Sequence, residues 1–274
     1  MDLNTVSEIL RPRQIDATTG WRPGDAWLAG GTWLFSEPQP EVTRLIDLTD
    51  LGWPALTITE RGLEIAATCT IAELDAFQAP ADWSAAPLIG QCCRSFLASF
   101  KIWNVATVGG NLCLGLPAGP MISLGLALDG ICTMLGPDGA TREMAVTDFV
   151  GGPLVNALRQ GECLRSLTLP MAALRRRFAF RRQSLTPLGR SGVLLIGTVD
   201  ESGAFALAVT ASVRRPLSLA FPSLPTAAGL ADRIAAEIPD DLYYDDVHGA
   251  PAWRRHLTGV FAEEIRAELS GEAA

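Results

Sequence analysis

Two glycine-rich stretches carry residues suited to holding an anion: Ala29-Gly30-Gly31-Thr32 near the start and Ala106-Thr107-Val108-Gly109-Gly110-Asn111 further along. Each sets residues without bulky side chains next to a threonine at a predicted strand-to-turn boundary, where backbone N–H groups can turn outward. Two such loops in one chain suggest a diphosphate gripped from both sides. Neither has the three spaced glycines that open a dinucleotide-binding helix, and neither ends in the Lys-Ser/Thr of a P-loop. A Rossmann or Walker reading is therefore poor.

Other chemistry is scarce. Only His248 and His256 supply imidazoles, both late in the chain, so a Ser/His/Asp triad or a histidine metal site has little to work with. Cys69, Cys92, Cys93, Cys113, Cys132 and Cys163 include no Cys-x-x-Cys pair. Their spacing builds neither a zinc nor an iron–sulfur site, and they read as small buried hydrophobes.

The elements that must position the two loops follow from pattern. Ala26–Ala29 reads as a short strand running into the first loop, and Leu45–Leu48 as a strand paired with it. Leu56–Thr59 and Leu63–Ile65 alternate about a Glu60-Arg61-Gly62 turn, which predicts a hairpin. Thr70 with Glu73 three residues on predicts a capped helix start. Apolar residues recur at helical spacing from Ala85 to Ser99 and again from Met121 to Leu128. Ile131–Leu135 predicts a strand turning at Gly136-Pro137-Asp138-Gly139, and Thr147-Asp148-Phe149 starts another short segment. Cys163–Leu169 predicts a strand ending at Pro170, where a domain boundary is expected. Beyond it, Arg177–Arg182, Val193–Val199 and Phe205–Ser212 predict three antiparallel strands, followed by helices over Ala227–Glu237 and Trp253–Leu269. The fold class is thus α+β, with residues 1–170 as one domain, in lobes of about 1–52 and 53–170, and 171–274 as a second.

The chain has 274 residues, 48% of them hydrophobic, and a net charge of −8. No stretch approaches the roughly 18 uninterrupted apolar residues of a membrane helix. The start, Met1-Asp2-Leu3-Asn4-Thr5, has no basic region ahead of an apolar block, so a cytoplasmic location is expected. The acidic balance argues against a nucleic-acid surface. Arg175-Arg176-Arg177 and Arg181-Arg182 form the one basic cluster, read as a solvated face, with an anionic cofactor or an acidic partner subunit as the alternative.

In order along the chain, these motifs resemble the FAD-binding medium subunit of the molybdenum hydroxylases, the xanthine dehydrogenase and carbon monoxide dehydrogenase family. Ala29-Gly30-Gly31-Thr32-Trp33-Leu34 is similar to that family's Ala-Gly-Gly-Thr-Asp-Leu. Ile102-Trp103-Asn104-Val105-Ala106-Thr107-Val108-Gly109-Gly110-Asn111 is similar to its Ile-Arg-Asn-x-Ala-Thr-Val-Gly-Gly-Asn. Leu45–Leu48, Ile65–Leu74, Gly161-Glu162-Cys163-Leu164, and Asp245–Gly249 with Trp253–Leu257 continue the likeness over nearly the whole chain.

The resemblance implies a two-lobed FAD-binding domain of the vanillyl-alcohol-oxidase-like plan. A smaller C-terminal domain of a three-stranded antiparallel sheet with helices follows it. It implies that the backbone of Gly30, Gly31 and Thr32, flanked by Ala29 and Trp33, and that of Gly109, Gly110 and Asn111 hold the FAD diphosphate. Thr107 would add a hydroxyl. Leu164 matches a position close to the isoalloxazine, Leu97 an apolar contact, and Arg181 a flavin-proximal lysine. The implied partners are a molybdopterin-containing large subunit and a small [2Fe–2S] subunit, in a dimer of heterotrimers without membrane span or nucleic acid.

The chain departs from the family at Trp33, where an acidic residue is usual, and at Trp103, where an arginine is usual. Leu116-Pro117-Ala118-Gly119-Pro120 also replaces Ser-Pro-x-x-Asp. Two rival readings stay open: a scaffold subunit that has lost or weakly binds flavin, and a stand-alone flavoprotein oxidase. For the latter, no His or Cys for covalent flavin attachment lies between Trp21 and Leu45.

Overall fold

The computed structural model describes residues 3–16 and 19–272. Strands β1 (Glu8–Leu10), β2 (Asp25–Leu28) and β3 (Arg44–Asp47) form a small parallel sheet in the order β1-β3-β2. After a 3-10 turn come the hairpin β4 (Leu56–Thr59) and β5 (Gly62–Ala66), then helices α1 (Ile71–Asp75), α2 (Pro87–Ser95), α3 (Phe100–Trp103), α4 (Val108–Leu114) and α5 (Pro120–Ala127). Strands β6 (Ile131–Leu135) and β7 (Thr141–Ala145) lead through α6 (Val146–Phe149) to the short β8 (Val150–Gly152) and β9 (Val155–Asn156), and on to β10 (Cys163–Pro170). Helix α7 (Met171–Leu174) precedes a second sheet of β11 (Arg177–Gln183), β12 (Val193–Val199), β13 (Phe205–Thr210) and β14 (Leu217–Phe221). Helices α8 (Ala227–Glu237) and α9 (Pro251–Ser270) follow it.

Strand β10 is the axis of the first half. It pairs antiparallel with β5 on one side and β6 on the other, in a five-stranded sheet ordered β4-β5-β10-β6-β7. The capping box at Thr70 forms: its hydroxyl accepts from Glu73 N at 3.2 Å while its own N–H donates to the Glu73 carboxylate at 2.8 Å. The lobes meet at a small apolar contact of Ile15, Leu48 and Cys163 against Trp27 and Trp53. Trp27 Nε1 closes this contact by donating to the Glu162 carbonyl at 2.8 Å. The Glu162 carboxylate is held below its usual range by the Arg142 guanidinium, which donates to both of its oxygens.

Three expectations are corrected. The helix drawn over Ala85–Ser99 ends at Ser95, because Phe96 turns out of helical geometry and its carbonyl accepts from Trp103 Nε1 at 2.8 Å. The C-terminal sheet has four strands rather than three. Strand β14 was missed because it lies just beyond Arg214-Arg215-Pro216 and only its middle residue, Leu219, is buried. The third correction is the conformation of the second glycine stretch, which opens a helix: Thr107 is the N-cap of α4.

The second sheet is covered on both faces, with β12 buried along its length. Leu194, Ile196 and Ala208 join the core of the first half, whereas Leu195, Leu207 and Val209 pack with residues of α8 and α9. At one end of this sheet the guanidinium of Arg254, 1% exposed, donates to the carbonyls of Gly249 (2.8 Å), Gly192 (2.6 Å) and Ala211 (2.5 Å), and it pairs with Asp246. One side chain thus fixes α9 to the ends of β12 and β13. Arg254→Ala leaves these carbonyls buried without donors and should cost about 3 kcal/mol or more. The melting temperature followed by circular dichroism should fall by roughly 6–12 °C.

Candidate functional site

Both glycine loops border one cleft, of about 290 Å³. Strand β2 delivers Ala29 and Gly30 to its rim, and the chain then turns. Phe35 N donates to the Gly31 carbonyl at 2.9 Å, and Ser36 N and Glu37 N donate to that of Trp33. As at the start of a helix, the N–H groups ahead of such a turn have no partner within it. Those of Gly30, Gly31, Thr32, Trp33 and Leu34 donate to nothing among the described residues. They form a backbone nest of the kind that receives an anion.

Glycine is required at both positions for separate reasons. A Cβ on Gly30 would stand 1.7 Å from the Val105 carbonyl oxygen, so the two loops pass in direct backbone contact. Gly31 has φ +69°, and a Cβ there would stand 2.4 Å from the Phe35 ring.

The second stretch behaves differently. Its N–H groups are spent inside the protein: Val108 N on the Cys69 carbonyl, Gly109 N on that of Ala67, Gly110 N on Thr107 Oγ1 and Asn111 N on the Thr107 carbonyl. The expectation that the backbone of Gly109, Gly110 and Asn111 receives a diphosphate therefore meets N–H groups already bonded. Gly109 serves packing, since a Cβ would lie 2.5 Å from that of Ala67. Gly110 leaves room, for its Cβ would meet only Thr107 Oγ1, at 3.1 Å.

Of the residues singled out from sequence, Ala29, Gly30, Gly31, Thr32, Trp33, Thr107, Gly109, Gly110, Asn111 and Leu164 line this one cleft. Leu164 reaches it through a β-bulge: the register of β10 against β6 shifts between Leu164 and Ser166, a device that re-aims a side chain. The extra residue, Arg165, places its guanidinium 4.4 Å from the Trp53 ring centroid.

Two residues fall outside the cleft. Leu97 is exposed, and the early end of α2 puts its neighbour Phe96 on the cleft wall instead. Arg181 lies on the face of β11 toward α9, where it pairs with Glu264 at 2.7 Å and Glu268 at 2.8 Å. The alternation of a strand forces this, because Ala179 and Arg181 share a face opposite Phe178 and Phe180.

Sequence reasoning missed Trp27, Leu48, Phe96, Cys113, Leu114, Leu158 and Cys163 as wall residues. Apolar residues of this kind carry no signal of a site beyond that of any core. Among the substituted family positions, Trp33 stands on the wall, Trp103 is turned inward to Phe96, and Pro120 is the first residue of α5.

No Asp, Glu, Lys, Arg or His lines the cleft, and no three metal-ligating side chains cluster among the described residues. The wall thiols are not nucleophiles, because burial pushes Cys113 and Cys163 up to about 12 and the neutral form dominates at neutral pH. Burial also raises Cys69, Cys92, Cys93 and Cys132. The site can bind and orient a ligand; it offers no charged acid, base or nucleophile of its own.

A family model described as the FAD binding domain in molybdopterin dehydrogenase matches residues 5–172. The chain belongs to this family. FAD is accordingly its cofactor, and the unpaired nest of Gly30–Leu34 fits the cofactor's diphosphate. Reconstituted CO dehydrogenase from Oligotropha carboxidovorans shares the fold, with a TM-score of 0.82 at 22% identity over 100% of both chains. So does CO dehydrogenase from Hydrogenophaga pseudoflava lacking the Mo-pyranopterin moiety, at 0.81 and 18% over 100% of both. Quinoline 2-oxidoreductase from Pseudomonas putida 86 gives 0.78 and 18% over 99% of each. No curated protein sequence matches significantly. Among the described residues, no helix is long and apolar enough to cross a membrane.

Three outcomes test this geometry. Gly30→Ala should separate the loops and abolish retention of flavin through purification, whereas Gly110→Ala should leave the chain folded, with weakened flavin uptake measured by fluorescence titration. In a thiol titration at mildly alkaline pH, the native chain should react slowly at all of its six cysteines, and rapidly at all of them once unfolded.

Proposed function

We propose that this chain is the FAD-binding electron-transfer subunit of a molybdenum-containing hydroxylase or dehydrogenase. It would accept electrons from the [2Fe–2S] clusters of a small partner subunit and pass them to an external acceptor, beside a molybdopterin-containing large subunit. The observation that carries this reading is the unpaired N–H nest of Gly30–Leu34 facing a cleft free of charged side chains. A cleft of that kind binds a redox cofactor and leaves the chemistry to it.

Bound FAD supplies one- and two-electron redox chemistry. The protein's part is to bind and orient. The nest of Gly30–Leu34 takes the diphosphate, and Thr107, whose Oγ1 accepts from Gly110 N at 3.0 Å, keeps its hydroxyl proton free to donate. Leu164, Phe96 and Trp33 form apolar wall that would exclude water from the bound cofactor. Residues 1–170 are assigned to the flavin domain and 171–274 to a C-terminal domain, in a cytoplasmic dimer of heterotrimers.

A second reading, a scaffold subunit with weak or no flavin, is favoured by Trp33 on the cleft wall and by Pro120 in place of an aspartate. One preparation separates the two. The purified chain should be yellow, with a flavin absorption spectrum and about one FAD per chain, and should copurify with iron–sulfur and molybdenum subunits when these are co-expressed. A colourless chain that takes up no added FAD would favour the scaffold.

A further inference from the structure

Helix α5 is buried at all eight of its positions, and it starts without a side-chain cap of its own. Gly119 at the N-cap has no side chain, and Pro120 has no N–H. Ile122 N and Ser123 N turn back to the Gly119 carbonyl, which leaves Met121 N as the donor in need of a partner. Asn111, ten residues earlier on α4, supplies it: Oδ1 accepts from Met121 N at 3.0 Å. That bond also fixes the amide orientation, since an N–H can be satisfied only by the oxygen. The Nδ2 group has no bond to any described residue and is not sealed in the interior. Asn111 lines the cleft, so the amide offers it donors alone.

The far side of the same elements reaches the C-terminal sheet. Ala211 N donates to the Pro117 carbonyl at 2.8 Å. Ser123 Oγ lies 2.7 Å from Thr210 Oγ1, both buried. Thr210 Oγ1 also reaches the Leu194 carbonyl at 3.1 Å and Ser123 Oγ the Gly119 carbonyl at 3.4 Å, so either hydroxyl can donate within the pair. Cleft, α5 and strand β13 are thereby joined through two side-chain bonds.

We propose that Asn111 is a positioning residue that serves helix and cleft at once: its carbonyl caps α5 while its amide donates to an oxygen of the bound cofactor, so that occupancy of the cleft and the seating of α5 on the C-terminal sheet are coupled. The inference rests on the cleft holding FAD. It gives the last residue of the second glycine stretch a side-chain role where its backbone N–H is already bonded.

The test uses the full chain, with FAD titrated by flavin fluorescence and hydrogen exchange measured with and without saturating FAD. In the parent, FAD should slow exchange both in residues 115–128 and in residues 205–212. Asn111→Asp keeps an oxygen for Met121 N and the parent's melting temperature, but it turns the donor into a carboxylate. FAD affinity should fall by about tenfold or more, and protection of 205–212 should disappear. Ser123→Ala should keep FAD affinity within about twofold, which marks no change in a bond to the ligand, and should lose the protection of 205–212 alone. The proposal is overturned if Asn111→Asp binds FAD as tightly as the parent, or if FAD leaves exchange of 205–212 unchanged in the parent. A parent that binds no FAD overturns the functional reading itself, whereas equal binding by parent and Asn111→Asp overturns only the role of Asn111.

Discussion

The site depends on two stretches of backbone touching with no side chain between them. With the Val105 carbonyl where a Cβ of residue 30 would stand, the first loop can lie against the start of the second only if residue 30 is glycine. That contact sets the width of the cleft, and the cleft in turn sets what else each loop can do. The first loop, leaving a parallel edge strand, keeps its N–H groups without a partner among the described residues. The second is wedged against residues 67–70, where it spends the N–H groups of Val108 and Gly109, while those of Gly110 and Asn111 turn back to Thr107. Similar glycine pairs therefore perform different work. One exposes backbone donors, and the other permits helix α4 to approach Ala67.

Electrostatics follow from the same arrangement. An anion in this cleft is met by oriented amide dipoles and by the hydroxyl of Thr107, since no charged side chain lies on the wall. Several arginines are engaged elsewhere. Arg44 pairs with Asp25, Arg142 with Glu162 and Arg181 with Glu264 and Glu268. Arg254 is buried in carbonyl contacts. Dipoles fixed by the fold need little reorganisation around a bound group, which suits a cleft that must hold a redox cofactor in one place.

Packing ties the two halves together more closely than the break at Pro170 suggests. Because β12 and β13 send alternate residues to opposite cores, the C-terminal sheet completes the interior of the first half as well as its own. Helix α5, wholly buried, lies between the cleft and that sheet. A perturbation at Asn111 therefore acts on both.

Much of this was legible in the sequence, for identifiable reasons. The hairpin about Arg61, the capped helix at Thr70, the strand ending at Pro170 and the helix over Ala227–Glu237 are local patterns of alternation, capping and turn chemistry, and each formed where those patterns lie. The glycine loops stood out because a missing Cβ is visible in the sequence itself, and both border one cleft. Which N–H groups remain free was not visible for Val108 and Gly109, because their acceptors, the carbonyls of Cys69 and Ala67, come from a distant segment, whereas Gly110 and Asn111 are taken by the local Thr107 once it caps a helix. Nor could the sequence tell which of Phe96 and Leu97 faces the cleft, since that turns on where α2 stops and on a bond from Trp103. Arg181 was placed by strand alternation combined with the position of α9, and only the packed sheet supplies the second of these. The sequence by itself determined where backbone could approach backbone and which cofactor family the chain serves. The tertiary structure decided which donors survive that approach, because a hydrogen bond is assigned by the partner that arrives, and for Val108 and Gly109 that partner comes from a separate segment.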